Sequence, residues 1–75
     1  MVISVFGKVL RTLRENKNLS QEKLAEYCDL DRTYISMLER GLRQPTISTI
    51  FKIADALDIS PSELVKKVEL EITSK

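Results

Sequence analysis

Residues 20–41 read Ser-Gln-Glu-Lys-Leu-Ala-Glu-Tyr-Cys-Asp-Leu-Asp-Arg-Thr-Tyr-Ile-Ser-Met-Leu-Glu-Arg-Gly, and this stretch decides the fold. Ser20 is a good N-cap for a helix over residues 21–28, and Asp31 is a good N-cap for a second helix over residues 32–40. Two short helices joined by a tight turn form a helix-turn-helix arrangement.

The residues at the contact between these two helices meet the demands of that arrangement. Ala25 is small where the helices touch, and Ile35 supplies a branched anchor toward the first helix. The turn needs a residue that tolerates positive φ, which Asp29 does. Gly41 supplies the C-terminal stop of the second helix. Three leucines complete the predicted small core: Leu24, Leu30 and Leu38.

Three further helices are predicted, one before this pair and two after it. A first helix carries apolar residues at spacings of three and four and ends near residues 16–18. A fourth begins after Pro45 with Thr46 or Ser48 as its cap. A fifth begins at Ser60-Pro61-Ser62-Glu63, where Ser60 caps and Glu63 completes a capping box, and it runs to about Lys67. The apolar stripes are Val5, Phe6, Val9, Leu10 and Leu13 in the first helix and Ile47, Ile50, Ile53, Ala54 and Leu57 in the fourth.

Two readings stay open for the last residues. Residues 68–73 alternate apolar and polar, which is the period of a strand. Leu64, Val68 and Ile72 are four apart, which instead extends the fifth helix. We expect residues 1–75 to form one domain with its core over about residues 5–67, and the tail 68–75 to be a candidate part of a pairing surface.

Composition excludes several classes of protein. The chain has 75 residues, a net charge of +1 and a hydrophobic fraction of 43%, which suit one small globular domain. Cys28 is the only cysteine and there is no histidine, so we expect no intramolecular disulfide, no metal, no cofactor and no histidine-based catalysis. We read Cys28 as a core residue. The short apolar runs predict no membrane association, and a cytoplasmic location is expected.

The motifs resemble those of the Cro/C1-type (XRE-like) helix-turn-helix family over about residues 6–64. That resemblance implies an all-α, compact, five-helix lambda-repressor-like domain that binds operator DNA as a two-fold dimer. The heptad at residues 30–36 is similar to that of restriction–modification controller proteins. The family usually has Gly in place of Asp29 and often Ser or Thr in place of Asp31. The motifs are Leu19-Ser-Gln-Glu-Lys-Leu-Ala-Glu, Leu30-Asp-Arg-Thr-Tyr-Ile-Ser, Leu38-Glu-Arg-Gly, Pro45 and Ile53-Ala-Asp-Ala-Leu.

The recognition helix of such a domain would be the second helix of the motif. Arg32, at its first turn, is suited to read a guanine edge through its bidentate fork. We predict base-reading roles for the outward residues Arg32, Thr33, Ser36 and Met37. We predict phosphate contacts for Ser20, Gln21, Tyr34, Arg40, Arg43 and Gln44. Ser36 fits a phosphate contact equally well, and Arg40 fits an ordinary solvated charge.

The resemblance also places an ion pair at Arg14 and Glu39. We expect this pair to hold the first helix to the recognition helix rather than to act in binding. If it is partly buried, losing one partner costs more than losing both.

The distribution of charge, and apolar residues that the predicted core does not use, favour a dimer. Residues 1–45 carry eight basic and six acidic side chains, and residues 46–75 carry four basic and five acidic. The motif half is therefore mildly basic, and pairing doubles its basic face. The candidate pairing residues lie late in the chain: Phe51, Ile59, Val65, Val68, Leu70 and Ile72. The alternative is that Phe51 and Val65 only finish the protomer core.

These features predict a transcriptional regulator that binds a pseudo-palindromic DNA operator as a homodimer and controls its own gene. Repression by occluding a promoter is the simpler mechanism, and activation would need contact with RNA polymerase. No small-molecule ligand is expected. The alternative is a protein-interaction adaptor or antitoxin-like module on the same fold, which would have no need of Arg32, Thr33 and Ser36 together.

Overall fold

The computed structural model describes residues 1–74, and this part of the chain folds into five α-helices without a strand. The predicted all-α class is therefore confirmed. The helices are α1 (Val2–Asn16), α2 (Gln21–Cys28), α3 (Arg32–Glu39), α4 (Ile47–Ala56) and α5 (Pro61–Thr73).

One apolar core joins the five helices. α1 packs against α3 and α5, α2 packs against α3 and α4, and α4 packs against α5. Each helix contributes side chains that are spaced three or four residues apart on one face, as the sequence predicts. The largest fully buried side chains are Leu10, Leu24, Ile35, Leu38, Ile53, Leu57 and Leu64.

Three of the four predicted helix caps are made by side chains. Ser20 Oγ accepts a hydrogen bond from the backbone amide of Lys23 at 3.0 Å. Thr46 caps α4 and Ser60 caps α5 in the same way, each at 3.1 Å. Asp31 is the N-cap residue of α3, but its side chain makes no capping hydrogen bond. The predicted N-cap position of Asp31 is therefore confirmed, although its exposed carboxylate makes no capping bond.

Left-handed residues end the helices at three predicted places. Asn18 has φ 58° and Asp29 has φ 57°, and both side chains tolerate this conformation. Gly41 has φ 73° and lies against Ser4 of α1, where an added Cβ would come within 3.2 Å of the Ser4 Cα. α3 ends at Glu39, one residue earlier than predicted, because Arg40 already begins the turn into Gly41.

The C-terminal residues continue α5 to Thr73, so the predicted end at Lys67 is wrong and the helical reading of residues 68–73 is confirmed. Val68 is 7% exposed and Ile72 packs against the core beside it. The stripe begun by Leu64 thus continues every four residues. In the described chain no neighbouring strand is present for the alternating residues to pair with.

Gly7 allows α1 to approach the end of α3 closely. A Cβ at this position would collide with the carbonyl oxygen of Leu38 and would lie 2.6 Å from that of Glu39. Only a residue without a side chain fits there. This contact places α1 directly behind α3.

Candidate nucleic-acid interface

A tight turn sets the relative placement of α2 and α3. The amide of Leu30 donates to the carbonyl of Ala25 at 2.9 Å, across the left-handed Asp29. Ala25 is 4% exposed, and its small side chain lets α3 pass close to α2. The geometry is that of the predicted helix-turn-helix, with α3 as its second helix.

One face of α3 is accessible while the other is fully buried. Ile35 and Leu38 are the buried positions, both with no exposed surface. Opposite them, side chains at spacings of three, four and seven form a stripe along the helix. Arg32 lies beside this stripe in the first turn and is exposed to solvent. The stripe consists of Thr33, Ser36, Met37 and Arg40, of which Thr33 and Arg40 are exposed and Ser36 and Met37 half-buried.

The cations on this face are not held by acidic partners within residues 1–74. Arg32 makes no side-chain hydrogen bond or ion pair there, so its guanidinium is available. Arg40 makes only a long 3.4 Å bond from Nε to the carbonyl oxygen of Ser36. Both arginines are therefore free to meet an anionic ligand.

Arg14 and Glu39 form a bidentate ion pair behind the accessible face. Arg14 Nε donates to Glu39 Oε2 at 2.6 Å, and Nη2 donates to Oε1 at 3.1 Å. Arg14 Nη1 also donates to the carbonyl oxygen of Leu19 at 2.6 Å. The hydrogen bonds to Glu39 raise the pKa of the Arg14 guanidinium above its ordinary value, so Arg14 stays charged. One side chain thus connects α1, the start of α2 and the end of α3.

The start of α2 lies close to this ion pair. The Gln21 Nε2 amide donates to Glu39 Oε1 at 3.0 Å, and Ser20 Oγ is occupied by its capping bond. One of the two side-chain N–H groups of Gln21 is therefore already used. What this end of the helix offers an anion is the set of unpaired first-turn amides.

Tyr34 does not point its hydroxyl outward. The hydroxyl lies 3.3 Å from Thr49 Oγ1 on α4, and the ring is half-buried against the core. Arg43, in the exposed loop after α3, places its guanidinium carbon 5.6 Å from the centre of the Tyr34 ring. Gln44 follows in the same exposed loop. The Tyr34 hydroxyl therefore already has one partner within the protomer, and its predicted phosphate contact stays a prediction.

The predicted pairing residues divide into three groups. Phe51 is 58% exposed, Val65 49% and Leu70 54%. Ile59 and Ile72 are half-buried at the edge of the core. Val68 is 7% exposed, because the continued helix turns it inward beside Leu64, but it also lines the groove described next, so its place at a pairing surface stays a prediction.

An open groove lies beside these exposed apolar side chains, and Val65 lines it, whereas Phe51 and Leu70 do not. It lies between the starts of α1 and α4 and the middle of α5, with a volume of about 900 Å³. Ile47, which is 72% exposed, lines it and lies one turn before Phe51 on α4. Leu70 is five positions after Val65 and therefore projects from a different side of α5. Ile47, Phe51 and Val65 together with this groove are named here the α4–α5 surface.

Sequence reasoning missed three residues that shape the site. Gly7 sets the closeness of α1 and α3, Thr49 holds Tyr34, and Ile47 belongs to the exposed apolar surface instead of the core. A signal existed for Ile47, because Ile47 and Phe51 are four apart and share a helix face. No local signal identifies Gly7 or Thr49, because their roles depend on which helix lies opposite.

The one cysteine of the described chain lies in the core. Cys28 is 3% exposed, and burial raises the pKa of its thiol to about 11. No cluster of three potential metal ligands is present within residues 1–74. None of the five helices has the length and apolar character needed to cross a bilayer.

Comparison with known proteins relates this geometry to a family. Residues 10–64 match a family described as helix-turn-helix, which spans the second half of α1 through the start of α5. The control protein C.BamHI of Bacillus amyloliquefaciens is 50% identical over 62 residues, covering 81% of this chain and 76% of that protein.

Solved structures agree with this relationship. The restriction–modification controller protein C.AhdI from Aeromonas hydrophila superposes with a TM-score of 0.80 at 50% identity, covering 83% of this chain and 94% of that one. A nucleoprotein complex of C.Esp1396I superposes with a TM-score of 0.88 at 34% identity, covering 97% of this chain and 95% of that one.

Proposed function

The chain belongs to the helix-turn-helix family and is a DNA-binding transcriptional regulator, and we propose that it acts as a homodimer on a two-fold symmetric operator, in the manner of restriction–modification controllers. The resemblance predicted from sequence, to the family and to controller proteins, is confirmed by the comparisons. The proposal concerns the residues that read DNA, the pairing of two protomers and the genes controlled.

The accessible face of α3 carries the proposal. Arg32 is exposed and lacks a partner in the described chain, which suits a bidentate contact with guanine O6 and N7 in the major groove. Thr33 and Met37 offer carbon atoms to a thymine methyl group, and Ser36 offers a hydroxyl to a base edge or phosphate. Within the described chain the side chains of this accessible stripe make no hydrogen bond to another helix.

Phosphate contacts would flank this face on both sides. The backbone amides at Ser20 and Gln21 are at the positive end of α2, where an anion is favoured. Arg40, Arg43 and Gln44 lie at and after the other end of α3. These contacts fix the register of the helix in the groove without reading sequence.

Pairing of two protomers would use the α4–α5 surface. Ile47 and Val65 line one apolar groove, and Phe51 is exposed one turn after Ile47. Exposed apolar surface of this kind in small proteins marks interaction sites. A two-fold axis through this surface would give two copies of α3 that reach half-sites about 34 Å apart, one turn of DNA. The places of Leu70, Ile59 and Ile72 at the pairing surface stay predictions from the sequence.

We propose autoregulation as the physiological role, exercised in the cytoplasm. Occupancy of an operator by a dimer rises steeply with protein concentration, so a regulator that binds near its own promoter responds to its own level. Repression by occlusion needs no further contact. Activation would need a surface that touches RNA polymerase.

The test is selection of double-stranded DNA from a random pool by the full chain, followed by footprinting on the DNA upstream of its own gene. We expect an enriched inverted repeat bound by two protomers, with half-site centres about one helical turn apart. Binding should weaken as salt rises. Enrichment of no sequence would overturn the operator proposal and favour a protein-interaction module on the same fold.

A further inference from the structure

A chain of hydroxyl groups connects α4 to the recognition helix. Thr46 Oγ1, which caps α4, lies 2.9 Å from Thr49 Oγ1, and Thr49 Oγ1 lies 3.3 Å from the Tyr34 hydroxyl. Thr49 is 6% exposed, and Arg14 is the other buried polar or charged side chain within residues 1–74. The chain therefore runs through a buried group and ends on α3.

The cap of α4 does not account for the Thr49 hydroxyl. Thr46 supplies the capping acceptor, and Thr49 contributes only its backbone amide to that bond. A valine has the same shape as threonine and would bury no polar group, whereas a buried hydroxyl is costly unless it is hydrogen-bonded. The partner that the Thr49 hydroxyl reaches on another element is Tyr34.

Arg43 depends on the placement of the Tyr34 ring. Its guanidinium carbon lies 5.6 Å from the ring centre, within the range of a cation–π interaction. Arg43 is exposed in the loop between α3 and α4, and within the described chain no carboxylate forms an ion pair with it. The orientation of the ring therefore decides where this cation lies relative to the end of α3.

We propose that Thr49 is a positioning residue for DNA binding: it fixes Tyr34, and the Tyr34 ring holds Arg43 where its guanidinium contacts a DNA phosphate. The inference rests on the proposed DNA-binding face of α3. It replaces the direct phosphate contact predicted for Tyr34, because the hydroxyl is turned toward α4 and the ring acts through Arg43.

This role has a signature that a base-reading role lacks. Phosphate contacts are independent of sequence, so misplacing Arg43 weakens binding to every duplex by the same factor. Each phosphate contact also contributes about 0.9 to the slope of log affinity against log salt concentration. Losing the Arg43 contact should therefore lower that slope by about 0.9 for each protomer that makes it.

The experiment uses two duplexes of equal length and composition, one selected by the protein from a random pool and one scrambled. Thr49→Val and Tyr34→Phe each remove one end of the hydroxyl contact, and Arg43→Gln removes the cation. Ser48→Ala is the control, because Ser48 Oγ lies 3.1 Å from Thr46 Oγ1 but makes no hydrogen bond to Tyr34. Affinity is measured at several salt concentrations, with thermal unfolding of each variant.

We expect Thr49→Val and Tyr34→Phe each to weaken binding to both duplexes by the same factor, roughly threefold to tenfold, as expected for one hydrogen bond. In the Arg43→Gln background neither change should weaken binding further. Ser48→Ala should bind as the parent does.

Two results would overturn the inference. One is a Thr49→Val protein with altered thermal stability but unchanged affinity and salt slope, which indicates a purely structural hydroxyl. The other is a loss of affinity that persists undiminished in the Arg43→Gln background. Tyr34→Phe gives the same information if Thr49→Val does not fold. A parent protein that binds both duplexes equally would instead contradict the proposed operator function, whatever Thr49 does.

Discussion

Arg14 and Glu39 are 25 residues apart in the chain, and their side chains form a bidentate ion pair with an Nε–Oε2 distance of 2.6 Å. The two side chains are 11% and 3% exposed, so the pair lies largely out of water. Within residues 1–74 no buried side-chain nitrogen or oxygen lacks a hydrogen-bond partner. The pair therefore satisfies the polar groups where three helices meet, and it holds α3 from behind its accessible face.

Removing one member of this pair should destabilise the protein more than removing both. We expect Glu39→Gln to lower the free energy of unfolding by about 3–5 kcal/mol, because it leaves the largely buried Arg14 charge with only the exposed Glu15 carboxylate at 4.0 Å as a counter-charge. The double variant Arg14→Met, Glu39→Leu should lie closer to the parent. Urea unfolding followed by circular dichroism measures both. A double variant less stable than Glu39→Gln would contradict this account.

Gly7→Ala should destabilise the protein although alanine favours helices. In an exposed helix interior this change stabilises by about 0.5–1 kcal/mol. Here the added Cβ would collide with the Leu38 carbonyl and lie 2.6 Å from that of Glu39. We expect a loss of about 1–3 kcal/mol, typical of an overpacked contact, measured by thermal unfolding.

The control for Gly7→Ala is Thr12→Ala, an exposed position on the same helix. It should be neutral or slightly stabilising. Equal effects of the two substitutions would show that α1 can move away from α3 at little cost.

Sequence reasoning succeeded where the determinants are local. The caps at Ser20 and Ser60 and the left-handed turn at Asp29 depend on residues within one turn of each other, and the structure has all three. It failed where two distant elements meet. Gly7 reads as a weak helix residue until the end of α3 is placed over it.

The same limit explains why the sequence does not separate the exposed from the buried apolar residues of α5. Val65 and Val68 are the same residue type and lie three residues apart, yet Val68 is 7% exposed and Val65 is 49% exposed. Which valine faces inward depends on whether α5 continues past Lys67, and the alternating sequence leaves that undecided. The accessible face of α3 was easier to predict from the sequence, because Ile35 and Leu38 identify the buried side of the helix.

Arg32→Ala should weaken binding to a selected operator and relax its specificity at one base position. Loss of a bidentate contact with a guanine is expected to cost about 1–3 kcal/mol. Gel-shift titration against the operator and against single-base variants measures both effects. Lys66→Ala, an exposed cation on α5, is the matched control and should bind as the parent does. Unchanged operator affinity of Arg32→Ala would remove Arg32 from the base-reading set.

Phe51→Ala should weaken dimerisation and leave the protomer folded. The side chain is 58% exposed, so truncation opens no cavity in the protomer core, while apolar area is lost from the proposed interface. Sedimentation equilibrium over a range of concentrations measures the association constant. Tyr27→Ala is the matched control, because Tyr27 is 57% exposed on α2, away from the α4–α5 surface. A Phe51→Ala protein that dimerises like the parent would place the interface elsewhere.

The stability of the protein should fall between pH 9 and pH 11 in a way that depends on Cys28. Burial raises the pKa of this thiol from 9.0 to about 11, so in this window the unfolded chain loses the proton while the folded chain retains it. The folded state then binds more protons than the unfolded state, and the free energy of unfolding decreases as pH rises, by roughly 2–3 kcal/mol at the upper end. Urea unfolding of the parent and of Cys28→Ala at several pH values measures the difference between them. Every other side chain is the same in both proteins, so that difference isolates the thiol, whereas a constant difference across the window would show that the thiol does not titrate on unfolding.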